Sequence, residues 1–134
     1  MENQFVSYTQ AVALKELRFD ESCLAYYNTE KLFKFPGTTM SNRNFLDLLT
    51  VTVPLKQQAF RWFREKHGLM HIINPYHFTA EIDYLNERIV NKQYGDFIPH
   101  DHLLDEEGEE IKHSSYEQAE QACLDKLIEI CKNK

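Results

Sequence analysis

The feature that most constrains the fold of this chain is a helical sequence pattern that occurs three times. Each copy has a Gln-Ala pair near its start. The copies carry Gln10-Ala11, Gln58-Ala59 and Gln118-Ala119, and apolar residues follow each pair at helical spacing. Each copy therefore predicts an amphipathic helix. The stretches between the copies are rich in Tyr, Phe, Ile and Val, as strands are. The pattern predicts an α+β fold: one compact domain, residues 1–134, in which three amphipathic helices pack on a mainly antiparallel sheet.

Capping patterns predict where the first and third helices begin. Ser7 and Gln10 form a capping box before a first helix, and Ser115 and Gln118 repeat the pattern before the third. We expect the third helix to bury one apolar face. Its predicted core residues are Ala119, Cys123, Leu124, Leu127, Ile128 and Ile130.

Pro54 and Gly68 bracket the second helix, because Pro suits the first helical position and Gly suits the C-terminal cap. A helical wheel separates its side chains into two faces. The core face carries Leu55, Ala59, Phe60, Trp62 and Phe63, and the polar face carries Gln57, Arg61, Arg64 and Glu65.

Strand-like segments surround these helices. They are a hairpin formed by 23–27 and 32–35, a third strand within 45–53, and strands at 70–73, 78–85 and 88–93. In 78–85, apolar Phe78, Ala80, Ile82 and Tyr84 alternate with Thr79, Glu81 and Asp83, which is typical of a strand buried on one face.

Residues 96–113 lack any apolar period and include the acidic run at 105–110. We expect a solvated loop there, and a folded domain without residues 100–110. The run is better interpreted as a solubilising insertion than as a mimic of a nucleic-acid backbone, because mimicry needs charges spread over a surface.

The composition excludes several classes of protein. A net charge of −6 disfavours binding to a phosphate backbone, so nucleic acid is an unlikely partner. No apolar run is long enough to span a membrane. The three cysteines are an odd number, and Cys123 and Cys131 are too far apart along one helix to form a disulfide, which favours the reduced cytoplasm.

His100 and His102, with Asp105 close behind, offer nitrogen and oxygen ligands for a metal. In an extended segment the two rings would point the same way. A zinc site needs three or four fixed ligands, however, and this segment lies in the predicted loop. We therefore expect an ordinary solvated segment here, with neither a metal nor a cofactor.

Thiol chemistry is also disfavoured. Cys123 lies on the inward face of the third helix, where a thiol is usually an inert apolar group. Cys23 opens a strand and lacks the surrounding signature of a cysteine hydrolase. We predict no catalytic residue.

The polar face of the second helix is the candidate binding site. Gln57, Arg61 and Arg64, bordered by Trp62, could bind an acidic partner, a phosphate or a stacked base. The alternative is an ordinary solvated face that carries an Arg61–Glu65 ion pair.

Residues 13–17 with 19–21, 58–66, and 116–120 with 123–130 resemble an uncharacterised small-protein family encoded by phages and prophages of gut Bacteroides-type bacteria. Its members usually carry Gly where Arg18 stands and Tyr where His67 stands, and they lack so long an acidic insertion. The resemblance implies a phage setting and an accessory protein that acts on host machinery, but it transfers no catalytic or binding residue.

Together these observations predict a cytoplasmic phage-type accessory protein, not an enzyme, that binds a host or phage macromolecule, with a protein as the expected partner. The rival hypothesis is a binding protein or minor enzyme for a nucleotide-like ligand, which would use Arg61, Arg64 and tyrosines of the sheet. The oligomeric state is left open by the sequence.

Overall fold

The structure, a computed structural model, describes residues 2–45, 47, 49–87, 89–91, 95–97 and 99–134. Within these ranges the chain forms three α-helices and eight β-strands. The elements are α1 (Tyr8–Glu16), β1 (Ala25–Tyr27), β2 (Phe33–Lys34), β3 (Val51–Val53), α2 (Lys56–His67), β4 (Leu69–Ile73), β5 (Ala80–Tyr84), β6 (Ile89–Asn91), β7 (Gly95–Phe97), β8 (His100–His102) and α3 (Tyr116–Lys132). None of the described helices has the length and apolar character that crossing a membrane requires.

The strands pair antiparallel throughout the described residues, which confirms the predicted α+β class. They form two three-stranded sheets, in the orders β2-β1-β3 and β4-β5-β8, and a separate ribbon of β6 and β7. The prediction of one sheet is corrected here. Helix α2 follows the edge strand β3 and leads into β4, so it carries the chain from the first sheet to the second.

The helix ends follow the predicted capping chemistry with small differences. At α1, Ser7 Oγ accepts from the Gln10 amide and Gln10 Oε1 accepts from the Ser7 amide, at 3.2 and 3.0 Å. At α3, Ser115 Oγ accepts from the Gln118 amide, but Gln118 Oε1 accepts from the Ser114 amide instead. The second half of this capping box is therefore shifted by one residue.

Helix α2 starts later than predicted and ends where predicted. Its N-cap is Leu55, so Pro54 precedes the cap and does not occupy the first helical position. Gly68 ends the helix in the left-handed conformation, with φ of 65°, which a residue without Cβ adopts at little cost.

Helix α3 holds the fold together, because it contacts α1, α2, β4 and β5. Leu127 has no exposed surface and Trp62 is only 4% exposed, which confirms the predicted core faces of α3 and α2. The other predicted α3 residues agree: Ala119, Cys123, Leu124 and Ile128 are buried, and Ile130 is partly buried against the core.

The repeated Gln-Ala pairs have a structural role. Ala11, Ala59 and Ala119 are fully buried, so each helix approaches the core through a residue with a small side chain. Gln10 is buried beside Ala11, whereas Gln58 is half-buried and donates to the carbonyl of Ser22 at 2.9 Å.

Most of the predicted strands are longer than the strands that the described residues form. The segment 45–53 contributes only Val51–Val53 to β3, and its residues 46 and 48 lie outside the described residues. The segment 88–93 contributes Ile89–Asn91 to β6, and 88, 92 and 93 likewise lie outside.

The predicted loop at 96–113 is corrected by the structure, which forms strands within it. His100–His102 pairs with β5 as an edge strand, and Leu103 beyond it is 9% exposed. The sequence His-Asp-His has no alternation of apolar and polar residues. The strand could therefore not be predicted, because it pairs with β5 through backbone hydrogen bonds. Removing residues 100–110 would take away β8 and the buried Leu103, which argues against the prediction that the domain folds without them.

The acidic run itself is an exposed turn. Asp105 Oδ1 accepts from the amides of Glu107 and Glu109 at 2.9 and 3.0 Å, and Leu104 bridges to Glu110 across the turn. The run therefore connects two paired segments of backbone.

Candidate functional site

A groove of about 620 Å³ lies between α2, the first turns of α3 and strand β4. Its walls combine cationic, amide, aromatic and acidic side chains. They are Leu55, Gln57, Gln58, Phe60, Arg61, Arg64, His71, Tyr116 and Glu120.

Three of the four residues predicted from the helical wheel line this groove, and the fourth does not. Gln57, Arg61 and Arg64 are exposed on α2. Trp62 points into the core, where its ring makes edge-on contacts with Phe19 and Phe63 at centroid distances of 5.3 and 5.1 Å. Trp62 is therefore removed from the candidate site, because a ring buried on the opposite face is unavailable for stacking.

The two arginines have different surroundings. Arg61 Nη2 lies 3.7 Å from Glu21 Oε1, and this pair takes the place of the Arg61–Glu65 pair suggested by helical spacing. Arg64 has no ion pair within the described part of the chain. Of the two arginines in the groove, Arg64 is therefore the one whose charge is more available to a ligand.

His71 forms part of the groove wall through a stack on Phe60. The two rings are 3.7 Å apart between centroids and inclined by only 12°. Desolvation by burial lowers the pKa of His71, and the positive charge of Arg64 lowers it further. The neutral imidazole is thereby favoured, so the groove wall offers a hydrogen-bonding group without adding a charge.

The start of α2 lacks a feature that the other two helices have. Ser7 and Ser115 cap α1 and α3 through their hydroxyls, whereas the N-cap of α2 is Leu55, whose side chain has no acceptor. The first amides of a helix have no partner within it. Gln57 and Gln58, which line the groove, belong to this uncapped turn.

Glu120 supplies the acidic side of the groove. Burial raises the pKa of its carboxyl group, Lys56 opposes this shift, and the charge of Glu117 adds to it. The groove is therefore mixed in charge, with cations along α2 and a carboxylate on α3.

The thiols named in the sequence are packed into the core. Cys23 is 1% exposed and burial raises its pKa to about 11, while burial and the charge of Glu120 raise the pKa of Cys123 to about 12. A nucleophile requires the thiolate, which such pKa values disfavour at neutral pH. Both side chains act as small apolar groups.

The two histidines singled out in the sequence do come together. His100 and His102 lie on β8 with ring centroids 5.0 Å apart, but the carboxylate that joins them is Glu81 of β5. Asp105 instead caps its own turn.

Several groove residues were missed from the sequence. His71, Tyr116 and Glu120 come from β4 and α3, and only the docking of α3 beside α2 brings them to Arg61 and Arg64. The one sequence feature that could have indicated His71 is the alternation of β4. It places His71 on the other face of the sheet from its exposed neighbours Met70 and Ile72.

Comparison of the chain with protein-family models, with curated proteins and with solved structures finds no match.

Proposed function

We propose that this chain is a phage-type accessory protein that binds a protein partner from the host or the phage, and that its groove receives an acidic segment of that partner. The observation that carries the proposal is that Gln57, on the uncapped first turn of α2, lines one groove together with Arg61 and Arg64 further along the same helix. A cytoplasmic setting is part of the proposal, and the three free cysteines support it.

The chemistry of the groove favours a carboxylate. A guanidinium presents a planar fork of donors that matches a carboxylate in two parallel hydrogen bonds. The start of α2, beside Gln57, adds partial positive charge at one end of the groove, which also favours an anion. Gln57 contributes an uncharged amide at this position.

The acidic neighbours of the groove favour a protein segment over a nucleic acid. Glu120 lines the groove and Glu21 lies beside Arg61, so a chain of phosphates would meet two carboxylates along with the two arginines. The net charge of −6 opposes a polyanion further. A peptide with one or two acidic side chains avoids most of this repulsion.

A nucleotide-like small molecule is the second candidate, supported by the size of the groove. Its volume of about 620 Å³ falls within the range of known small-molecule sites, roughly 300–1,000 Å³. A minor enzymatic activity toward such a ligand belongs to this same alternative.

The double charge reversal Arg61→Glu with Arg64→Glu tests the proposal. Tagged wild-type and variant chains are used to capture proteins from a lysate of a Bacteroides-type bacterium, and each captured protein is then purified and titrated against both chains. We expect the variant to lose at least about tenfold in affinity, since reversing charges at an interface weakens both steering and hydrogen bonding.

The matched control is Lys66→Glu with Lys112→Glu, which changes the net charge equally at exposed sites outside the groove. Both variants should keep the wild-type melting temperature. Equal affinity of the three chains for the captured partner would contradict the groove as the binding surface. A rise in melting temperature with nucleotides, abolished by the Arg61 and Arg64 changes, would favour the small-molecule alternative.

A further inference from the structure

Two histidines and a carboxylate form a cluster on the second sheet. His100 and His102 belong to β8 and Glu81 belongs to β5, and each offers a ligand atom within 4.8 Å of the other two. The cluster is separate from the groove. His71, which lines the groove, pairs with Ile82, the neighbour of Glu81, and therefore points to the opposite face of the sheet.

The register of the sheet produces this cluster. Glu81 lies directly opposite His102, and Asp83 lies directly opposite His100. Since alternate residues of a strand share a face, both imidazoles and the Glu81 carboxylate project to the same side. The paired backbones of β5 and β8 fix the Cα positions of these three residues. A binding site requires rigid support of this kind.

Both ring nitrogens of His102 lie close to carboxylate oxygens. Its Nδ1 lies 2.6 Å from Glu110 Oε1, close enough for an ion pair. Its other nitrogen, Nε2, lies 3.5 Å from Glu81 Oε2. Metal-bound histidines usually donate their second N–H to a carboxylate, which orients the ring and increases its basicity.

A cation between His102 Nε2 and Glu81 would remove the repulsion between two lone pairs that face each other. In a neutral His102 that donates from Nδ1, the lone pair of Nε2 faces the negatively charged oxygen of Glu81. Tetrahedral ligands at about 2.1 Å from zinc stand about 3.4 Å from each other, close to the observed separation. The competing arrangement is an imidazolium that bridges the two carboxylates with a proton on each nitrogen.

We propose that Glu81, His100 and His102 bind a divalent transition-metal ion of the zinc class, with Glu110 as a positioning residue. Two imidazoles and a carboxylate suit such an ion, whereas Ca²⁺ and Mg²⁺ prefer oxygen ligands throughout. Three protein ligands leave one coordination position for water or another molecule. A cavity of about 470 Å³, lined in part by Glu81, His102, Glu110 and Tyr76, lies beside this position.

Calorimetric titration of the metal-stripped full chain with Zn²⁺ at pH 7.5 tests the site. We expect one equivalent to bind, and His102→Gln or Glu81→Gln to abolish this binding. Glu110→Gln should weaken it by about 10- to 100-fold, the usual effect of removing the partner of a metal-bound histidine. Substitution with Co²⁺ gives a second readout, because its visible absorption reports the coordination geometry.

Matched controls are His77→Gln, an exposed histidine on the turn after β4, and Glu106→Gln in the acidic turn. Neither should alter the affinity. Circular dichroism of each metal-free variant identifies any that fails to fold, and Glu110→Gln keeps the test decisive if a ligand variant does so. Absence of binding by the wild type, or unchanged affinity in both folded His102→Gln and Glu110→Gln, would overturn the proposal in favour of the bridging imidazolium.

Discussion

Gln10 of α1 donates a hydrogen bond to Asp125 of α3, with Nε2 and Oδ1 2.9 Å apart, although 115 residues separate the two in the sequence. The same amide nitrogen donates to the carbonyl of Gln121 at 3.0 Å. Gln10 Oε1 also accepts from the Ser7 amide at the helix cap. One buried side chain thus links the start of α1 to the middle of α3.

Replacing Gln10 by Met, which has a similar shape but no amide, should destabilise the protein by about 1–3 kcal/mol. Gln10 is 2% exposed, and its loss leaves the Ser7 amide without its capping partner and removes the donor to Asp125 and to the Gln121 carbonyl. Denaturant unfolding measures the change. Gln58→Met is the control, since its bond to Ser22 is exposed, and it should cost less than Gln10→Met. Equal losses would contradict the special role of Gln10.

Leu127→Ala should destabilise by about 2–5 kcal/mol, because the residue is fully buried in α3 and its truncation leaves a cavity. Leu32→Ala, at a site 49% exposed, should change the stability by less than about 0.5 kcal/mol. The free energy of unfolding of each variant is measured in denaturant. A change below half a kilocalorie for Leu127→Ala would show that α3 does not face the core.

Two helix ends should respond oppositely to glycine. Arg18 follows α1 in the left-handed conformation with φ of 69°, so Arg18→Gly should stabilise by about 0.5–1 kcal/mol once the added freedom of the unfolded chain is subtracted. Gly68→Ala should destabilise by about 1–3 kcal/mol, because φ is 65°, where a Cβ is strained, and the new Cβ would also displace the exposed Asn86 side chain. Melting temperatures that move in the same direction would refute this pairing.

Acid should destabilise the protein partly through His71. Its folded pKa lies below the usual 6.5, so between these two pKa values the unfolded chain binds more protons and stability rises with pH. Stability is therefore lost as pH falls below 6.5 toward the folded pKa. His71→Phe, which keeps an aromatic stack on Phe60, should show a smaller loss between pH 7.5 and 5.5.

The exposed site His77→Phe serves as the control for this pH series, measured by denaturant unfolding at both pH values. His67, whose pKa is also lowered by burial and then by Lys134, retains its own contribution in every variant. An identical pH dependence in the wild type and His71→Phe would exclude His71 as a source of the acid sensitivity.

The features that could be predicted from the sequence are local. The capping box of Ser7 and Gln10 acts within one helical turn, and Gly68 ends α2 through its own backbone conformation. The wheel position of Arg61 and Arg64 depends only on the helical repeat.

The features that were missed depend on contacts between distant segments. Tyr116 and Glu120 reach the groove because α3 docks beside α2, and Glu81 meets His102 because β8 pairs with β5. The strand period did place Glu81 on a polar face. The residues of β8 did not indicate which strand it pairs with, because backbone hydrogen bonds between strands do not depend on the side chains.

The position of α3 late in the chain has a consequence for synthesis. A nascent polypeptide that ends before residue 116 lacks the helix against which α1, α2, β4 and β5 pack, so their apolar faces remain uncovered. Such an intermediate is the kind of species that aggregates or recruits chaperones. We expect stable folding to await the emergence of α3 from the ribosome, and C-terminal truncations within it to reduce the yield of the protein in cells.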